Sequence, residues 1–120
     1  MLPSESKSAP NFLTMTDKIV LLSTCASEEE AGKIAQGLVE ARLAACVTII
    51  PGGRSVYRWQ GAVESASEWV LVIKSARALF GQVHTMIEKL HSYEVPELIA
   101  MQIVEGSPNY MNWLEGQLGG

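Results

Sequence analysis

Cysteine is scarce in this sequence: the 120 residues contain only Cys25 and Cys46. Two thiols are too few for an iron–sulfur cluster, which usually takes four cysteine ligands. The Cys-x-x-Cys pair of soft-metal carriers is also missing. Each cysteine lies in its own apolar segment, a pattern typical of buried free thiols in a reducing compartment. We therefore expect two free thiols packed in the core, and the cytoplasm as the location of the protein.

Basic residues are also few in this sequence. Lysine and arginine number 9 against 13 aspartates and glutamates, and the formal net charge is -4. Nucleic-acid binding needs a basic face, and a membrane span needs an apolar run of roughly 20 residues, which this chain lacks. No Ser/His/Asp order, His-Glu-x-x-His motif or phosphate-binding glycine loop is present either. These absences argue against a nucleic-acid partner, a membrane and an enzymatic reaction.

What the chain does have is enough apolar sequence for one core. Hydrophobic residues make up 48% of the composition, which suits a single globular domain of this length. Residues 1–16 are rich in serine and proline and lack the continuous apolar stretch of a secretory signal. We expect these residues to form a loose N-terminal tail, and residues 17–120 to form the domain.

The first half of the domain predicts a strand, a helix and a long strand. Ile19–Thr24 is a short apolar run, typical of a buried strand. Ser27 and Glu30 match a capping box, and helical spacing continues from there to about Leu43. Ala44–Gln60, an apolar run as far as Ile50 followed by an alternating segment, predicts a strand too long for the sheet of a small domain.

Proline and glycine residues within the long strand, and a turn segment after it, predict a bent hairpin. Pro51-Gly52-Gly53 predicts a bend or bulge, because proline removes a backbone donor and glycine tolerates a positive φ. Gly61–Ser67 is predicted as the turn and Glu68–Ser75 as the returning strand. Ser75 is the candidate N-cap of the second helix.

The remaining residues complete a known layout. Helical spacing runs from Leu79 to Leu90, Leu98–Val104 predicts a fourth strand, and Ser107-Pro108 predicts the start of a short last helix. The order β-α-β-β-α-β with a terminal helix predicts an α+β, ferredoxin-like fold with an extended hairpin. Two helices cover one face of such a sheet, while the continuous apolar strands predict that both faces are buried. We therefore expect self-association through the open face, with the long hairpin reaching a neighbouring copy.

Several motifs match one known family in the same order. They are Arg42-Leu43-Ala44-Ala45-Cys46-Val47, Ile50-Pro51-Gly52, Ser55-Val56-Tyr57-Arg58-Trp59-Gln60-Gly61, His91-Ser92-Tyr93-Glu94-Val95-Pro96-Glu97, Ser107-Pro108-Asn109-Tyr110 and Trp113-Leu114. On these motifs the sequence, from about Asp17 to Leu118, resembles the CutA family of divalent-cation tolerance proteins. The resemblance implies a cytoplasmic homotrimer with clefts between subunits, an architecture shared with PII signalling proteins, and a link to copper(II) and other divalent ions.

The resemblance also implies candidate metal ligands. His91 matches a histidine that some members use for copper, and Cys46 matches a family cysteine. Metal-binding relatives have a cysteine at the position of Ser23 and a second histidine at that of Leu90, and Cys25 is a weak substitute on the same strand face. The alternatives are core packing for both cysteines and a contact with the last helix carbonyls for His91.

Aromatic and charged residues are the candidates for the cleft between subunits, namely Tyr57, Trp59, Lys74, Tyr93, Glu94 and Glu97. Interface packing of the aromatics is the alternative, as is an ion pair of Lys74 with Glu94 or Glu97. The sequence thus predicts a trimeric divalent-cation tolerance protein that binds copper(II) or another divalent ion weakly. A PII-like sensor of a small ligand and a structural trimer that anchors a partner protein remain open.

Overall fold

A computed structural model describes residues 16–119 of the chain. The expected tail therefore lies outside the described residues, apart from Thr16. The elements follow the predicted order, with a 3-10 turn at Arg77–Leu79 before the second helix. They are β1 (Lys18–Cys25), α1 (Glu28–Glu40), β2 (Cys46–Trp59), β3 (Ala62–Ala76), α2 (Phe80–Leu90), β4 (Ile99–Gln102) and α3 (Pro108–Gln117).

The four strands form one antiparallel sheet in the order β2-β3-β1-β4. This is the ferredoxin-like arrangement that the sequence predicts. The core lies between one face of the sheet and the helices α1 and α2, where the apolar side chains are almost fully excluded from solvent. Its fully buried members include Leu21, Ile34, Leu38, Leu71, Ile73, Val83 and Ile87. No helix among residues 16–119 is long and apolar enough to cross a membrane.

Helix α1 begins as predicted but ends early. The Ser27 hydroxyl accepts a hydrogen bond from the Glu30 backbone N–H at 3.1 Å, as in a capping box. The predicted end at Leu43 is wrong, because Arg42 has a left-handed φ of 59° and the helix stops at Glu40. The Arg42 guanidinium instead donates to the carbonyls of Gly116 and Gly119, which fixes the end of α3 against this corner.

Helix α3 is also held by a buried charge at the start of the sheet. Lys18 is only 6% exposed, and its ammonium pairs with the carboxylates of Asp17 and Glu115. A buried ammonium needs such partners to offset its lost hydration. This ion-paired group joins the first strand to the last helix.

The hairpin is longer and its turn tighter than predicted. The predicted turn over Gly61–Ser67 is wrong, because β3 already begins at Ala62 and pairs with Trp59. The turn is Gln60-Gly61, and both residues have positive φ, at 50° and 83°. Such a pair suits a two-residue hairpin loop, whose twist matches that of the flanking strands.

Two smaller boundary predictions also fail. Ser75 does not cap α2. It lies fully buried in β3 and donates a hydrogen bond to the Leu43 carbonyl at 2.6 Å. The fourth strand is Ile99–Gln102, which is shorter than the predicted Leu98–Val104.

The predicted bulge is confirmed and has a large effect on β2. Ile50 pairs with Val70 and Gly53 with Glu68, so β2 has one more residue than β3 between the two pairs. Gly52 takes up the extra residue with a φ of 81°. Because side chains alternate along a strand, the extra residue exchanges the two faces of β2 beyond this point.

The face of the sheet opposite α1 and α2 is apolar and largely uncovered by the described chain. Helix α3 reaches one end of it. Ile50, Ile99 and Met101 are 46%, 52% and 48% exposed there. Val70 and Val72 lie between them and are partly exposed. We call this surface the open face.

Alanine substitution should have opposite effects on stability at Gly52 in the bulge and at Gly32 in α1. An added Cβ has nothing within 4 Å at either Gly52 or Gly32. Gly52→Ala should lower the free energy of unfolding by about 1 kcal/mol, because alanine is strained at positive φ. Gly32→Ala, inside α1, should raise it by about 1 kcal/mol. Denaturant unfolding at one fixed protein concentration measures both, and a stabilising Gly52→Ala would contradict the bulge geometry.

Candidate functional site

The loop between α2 and β4 is fastened to the end of β1 and to β3 by side-chain hydrogen bonds. The Ser23 hydroxyl donates to the Glu97 carbonyl at 2.6 Å, and the Tyr93 hydroxyl donates to the Glu68 carboxylate at 2.7 Å. Val95 precedes Pro96, which disfavours helical geometry and keeps α2 from continuing into the loop. The loop therefore lies fixed over the root of the hairpin, and candidate residues from distant parts of the chain meet there.

Cys25, Glu30 and His91 form a cluster at one side of this loop. Their candidate ligand atoms all lie within 4.8 Å of one another, and no other such group of three occurs among residues 16–119. The sequence predicts Cys25 and His91 but not Glu30, which looks like a capping residue. Its carboxylate accepts hydrogen bonds from the Ser92 backbone N–H at 3.0 Å and the Ser92 hydroxyl at 3.2 Å.

His91 is held by two hydrogen bonds inside this cluster. Its side chain is fully buried, and Nε2 lies 2.7 Å from the Thr24 carbonyl. Nδ1 accepts the Tyr93 backbone N–H at 3.0 Å, so a neutral ring carries its proton on Nε2. The alternative suggested by the sequence, a contact of the His91 ring with the last carbonyls of α2, is not made, because the ring reaches the Thr24 carbonyl at the end of β1. Nδ1 also lies 3.5 Å from the Glu30 carboxylate.

The thiol of Cys25 is fully buried on the helix side of β1. Burial raises the pKa of Cys25 to about 12, and the negative charges of Glu30 and Glu68 add to this shift. The thiol is therefore protonated at neutral pH, and a metal ion has to displace that proton to bind. A thiol, a carboxylate and an imidazole are suitable donors for copper or zinc, but each is occupied by a proton or a hydrogen bond.

Cys46 and Lys74 lie apart from this cluster. They are directly paired across β2 and β3 on the open face, whereas Cys25 pairs with Trp69 on β3 and faces the helices. The Lys74 ammonium is 3.9 Å from the Cys46 sulfur, and the Tyr110 hydroxyl is 3.7 Å from it. Burial raises the pKa of Tyr110, and the hydrogen bond to Cys46 raises it further. The suggested ion pair of Lys74 with Glu94 or Glu97 is absent among the described residues.

A cavity of about 370 Å³ lies between the hairpin and the loop after α2. We call it the hairpin pocket. It contains every predicted cleft residue except Lys74, together with two glutamates that the sequence analysis missed, Glu64 and Glu68. Its lining residues are Thr24, Ser55, Tyr57, Trp59, Glu64, Glu68, Tyr93, Glu94, Val95 and Glu97.

Glu68 forms the base of the hairpin pocket and is only 5% exposed. Burial alone would raise the pKa of Glu68, but hydrogen bonds from Ser55, Tyr93 and Thr24 outweigh it and hold the pKa below its usual value. Burial and the bond to Glu68 raise the pKa of Tyr93, which remains a neutral donor. The pocket therefore has a buried negative charge at its base.

Comparison with known proteins places this geometry in one family. The family model for the CutA1 divalent ion tolerance protein matches residues 19–117. The divalent-cation tolerance protein CutA of Thermus thermophilus is 46% identical over 100 residues, covering 83% of this chain and 97% of that protein. The chloroplastic protein CutA of Arabidopsis thaliana is 42% identical, and the match covers 81% of this chain and 53% of the plant protein.

Solved structures agree with the sequence matches. The crystal structure of CutA from Xylella fastidiosa superposes with a TM-score of 0.84 at 39% identity, covering 87% of this chain and 100% of that one. The match includes the long hairpin, because it spans nearly the whole described domain. The chain belongs to the CutA1 divalent ion tolerance protein family.

Proposed function

We propose that this chain is a divalent-cation tolerance protein that acts by binding the ion and not by catalysis. The observation that carries the proposal is the convergence of Cys25, Glu30 and His91, whose ligand atoms lie within 4.8 Å of one another. Copper(II) is the ion we propose first, because thiol and imidazole donors favour it over hard ions. Family membership supports the general link to divalent ions.

The state of the three donors predicts weak and exchangeable binding. The ion has to displace the proton of Cys25, the Tyr93 N–H from His91 and the Ser92 donors from Glu30. Each replaced hydrogen bond reduces the net free energy of binding. A site of this kind suits the uptake and release of an ion in excess more than the permanent retention of a cofactor.

We further propose that the protein assembles as a homotrimer through the open face. That face exposes Ile50, Ile99 and Met101 together, and an apolar surface of this kind is typical of an interface. The hairpin gives the subunit a long axis of 53 Å against 28 and 25 Å for the others, which lets it reach a neighbour. The cytoplasm remains the proposed location, although the Arabidopsis relative is named as chloroplastic.

The assembly proposal predicts that a charge on the open face dissociates the protein. Met101→Glu, at a side chain that is 48% exposed, should shift the mass measured by light scattering from trimer to monomer, because an unpaired carboxylate would be buried in the interface. Val39→Glu, at a comparably exposed position on α1, is the matched control and should remain trimeric. A wild-type monomer at micromolar concentration would refute the proposal.

The metal proposal predicts which variants lose binding. In calorimetric titrations with copper(II), His91→Ala and Cys25→Ala should each lower the affinity by at least about tenfold. Because thiols reduce copper(II), zinc(II) provides a second, redox-inert titration. The affinity should rise from about pH 6 to about pH 8, since the bound ion replaces the proton of Cys25.

Cys46→Ala is the control for these titrations, because its thiol lies on the opposite face of the sheet. Binding that disappears in Cys46→Ala and persists in Cys25→Ala would place the ion at the other thiol. The absence of saturable binding in the wild-type protein would refute the direct role of the cluster. The oligomer mass of each variant shows whether a loss of binding reflects only a loss of assembly.

A further inference from the structure

Helix α3 lies across one end of the open face and buries little of its own surface. Its Glu115 pairs with Lys18 on β1. Its Tyr110 lies against Cys46 on β2, so the helix crosses from one strand to the other over β3, which lies between them. Among the ten residues of α3, only Leu114 is fully buried. A helix of this length is marginally stable in water by itself, so α3 depends on its contacts with the rest of the subunit.

The first half of α3 is held by weak polar contacts. Ser107 is the N-cap, but its side chain makes no capping hydrogen bond, and the first turn has no acidic residue. The Tyr110 hydroxyl lies 3.7 Å from the Cys46 sulfur, and the Lys74 ammonium lies 5.9 Å from the centre of the Tyr110 ring. Sulfur is a weak hydrogen-bonding partner, and a cation at this distance is at the outer limit of attraction by the ring. These contacts therefore contribute little to holding the helix.

The second half of α3 is fastened by charged groups. The Arg42 guanidinium donates to the carbonyls of Gly116 at 2.8 Å and Gly119 at 2.6 Å. Lys18 is only 6% exposed, so the loss of Glu115 would leave a buried ammonium with one partner fewer. The Glu115 side chain is 68% exposed, so dissolved salt weakens this pair. The attachment of α3 is therefore electrostatic and sensitive to ionic strength.

Beneath α3, the open face carries two ammonium groups and a thiol. Lys74 pairs with Cys46 on β2 and with Val20 on β1. Lys18 lies two residues before Val20 and therefore on the same face of the sheet. Among residues 16–119, no carboxylate oxygen lies within 4.0 Å of the Lys74 ammonium. A subunit whose α3 has moved away would present both lysines and Cys46 together.

We propose that α3 is a releasable cover over this end of the open face, and that the contacts of Lys18 and Arg42 control its release. Opening breaks these contacts while the sheet, α1 and α2 stay folded, because the core cluster between them contains no residue of α3. Release brings Cys46, which lies beside a cation, within reach of thiol-reactive compounds. The cover does not depend on the proposed metal cluster.

Alkylation of Cys46 by iodoacetamide, in the full-length, metal-free protein, measures how often α3 opens. Peptide mapping by mass spectrometry separates Cys46 from Cys25, and an uncharged reagent avoids direct attraction to the lysines. We expect Glu115→Gln and Arg42→Asn each to raise the rate by about tenfold, because each removes a charge-assisted contact. Asparagine tolerates the left-handed φ of 59° at position 42, so this variant removes little besides the guanidinium. Added salt should raise the wild-type rate and affect Glu115→Gln less.

Three controls separate the release of α3 from other effects. Glu105→Gln removes an exposed carboxylate that makes no ion pair within residues 16–119, and it should react as the wild-type protein does. Alkylation in denaturant should be equally fast in every variant, which shows that the intrinsic reactivity of Cys46 is unchanged. Hydrogen exchange in Glu115→Gln should rise in α3 and stay low in β1 and α2, because only the helix opens.

Three results would overturn the proposal. An unchanged alkylation rate in both Glu115→Gln and Arg42→Asn would show that these contacts do not control α3. Hydrogen exchange that rises equally through the whole domain would show global unfolding instead of the release of one helix. A rate that rises in Met101→Glu, together with a lower oligomer mass, but in neither α3 variant would show that a neighbouring copy covers Cys46.

Discussion

The bulge between Ile50 and Gly53 adds one residue to β2, and side-chain alternation then decides which face the outer half of the hairpin presents. With the extra residue, Tyr57 and Trp59 share the face of Glu68. In an unbroken strand the same aromatics would point to the helix side, where no pocket could form around Glu68. The backbone conformation of Gly52 therefore determines which side chains of the outer hairpin line the hairpin pocket.

The loop after α2 contacts both the Cys25, Glu30 and His91 cluster and the hairpin pocket. Its backbone at Tyr93 donates to His91 in the metal cluster, while its Tyr93 hydroxyl donates to Glu68 in the hairpin pocket. An ion that draws Nδ1 of His91 away from the Tyr93 N–H would release one of the two contacts that fix this tyrosine. Tyr93 thus contacts both the proposed metal cluster, through its backbone, and the hairpin pocket, through its hydroxyl.

Much of the architecture could be predicted from the sequence, because it depends on local signals. The strand and helix order, the Ser27 cap and the Pro-Gly-Gly bulge all follow from periodicity and turn chemistry. The predicted turn over Gly61–Ser67 is wrong, because the small and polar side chains after Gly61 look like a turn and become a strand only by pairing with β2. The roles of Glu30 and Glu68 could not be found locally, because their partners Ser92 and Tyr93 are 62 and 25 residues away.

The ion-paired Lys18 ammonium brings the first strand and the last helix into contact through Glu115. The two ends of the domain therefore lie close together in space, so a short linker could join them into a ring. The Gln60-Gly61 turn, far along the hairpin, is the natural place to open such a ring. A circularly permuted chain, joined near Lys18 and opened at that turn, would keep the sheet and core while presenting its new ends at the hairpin tip.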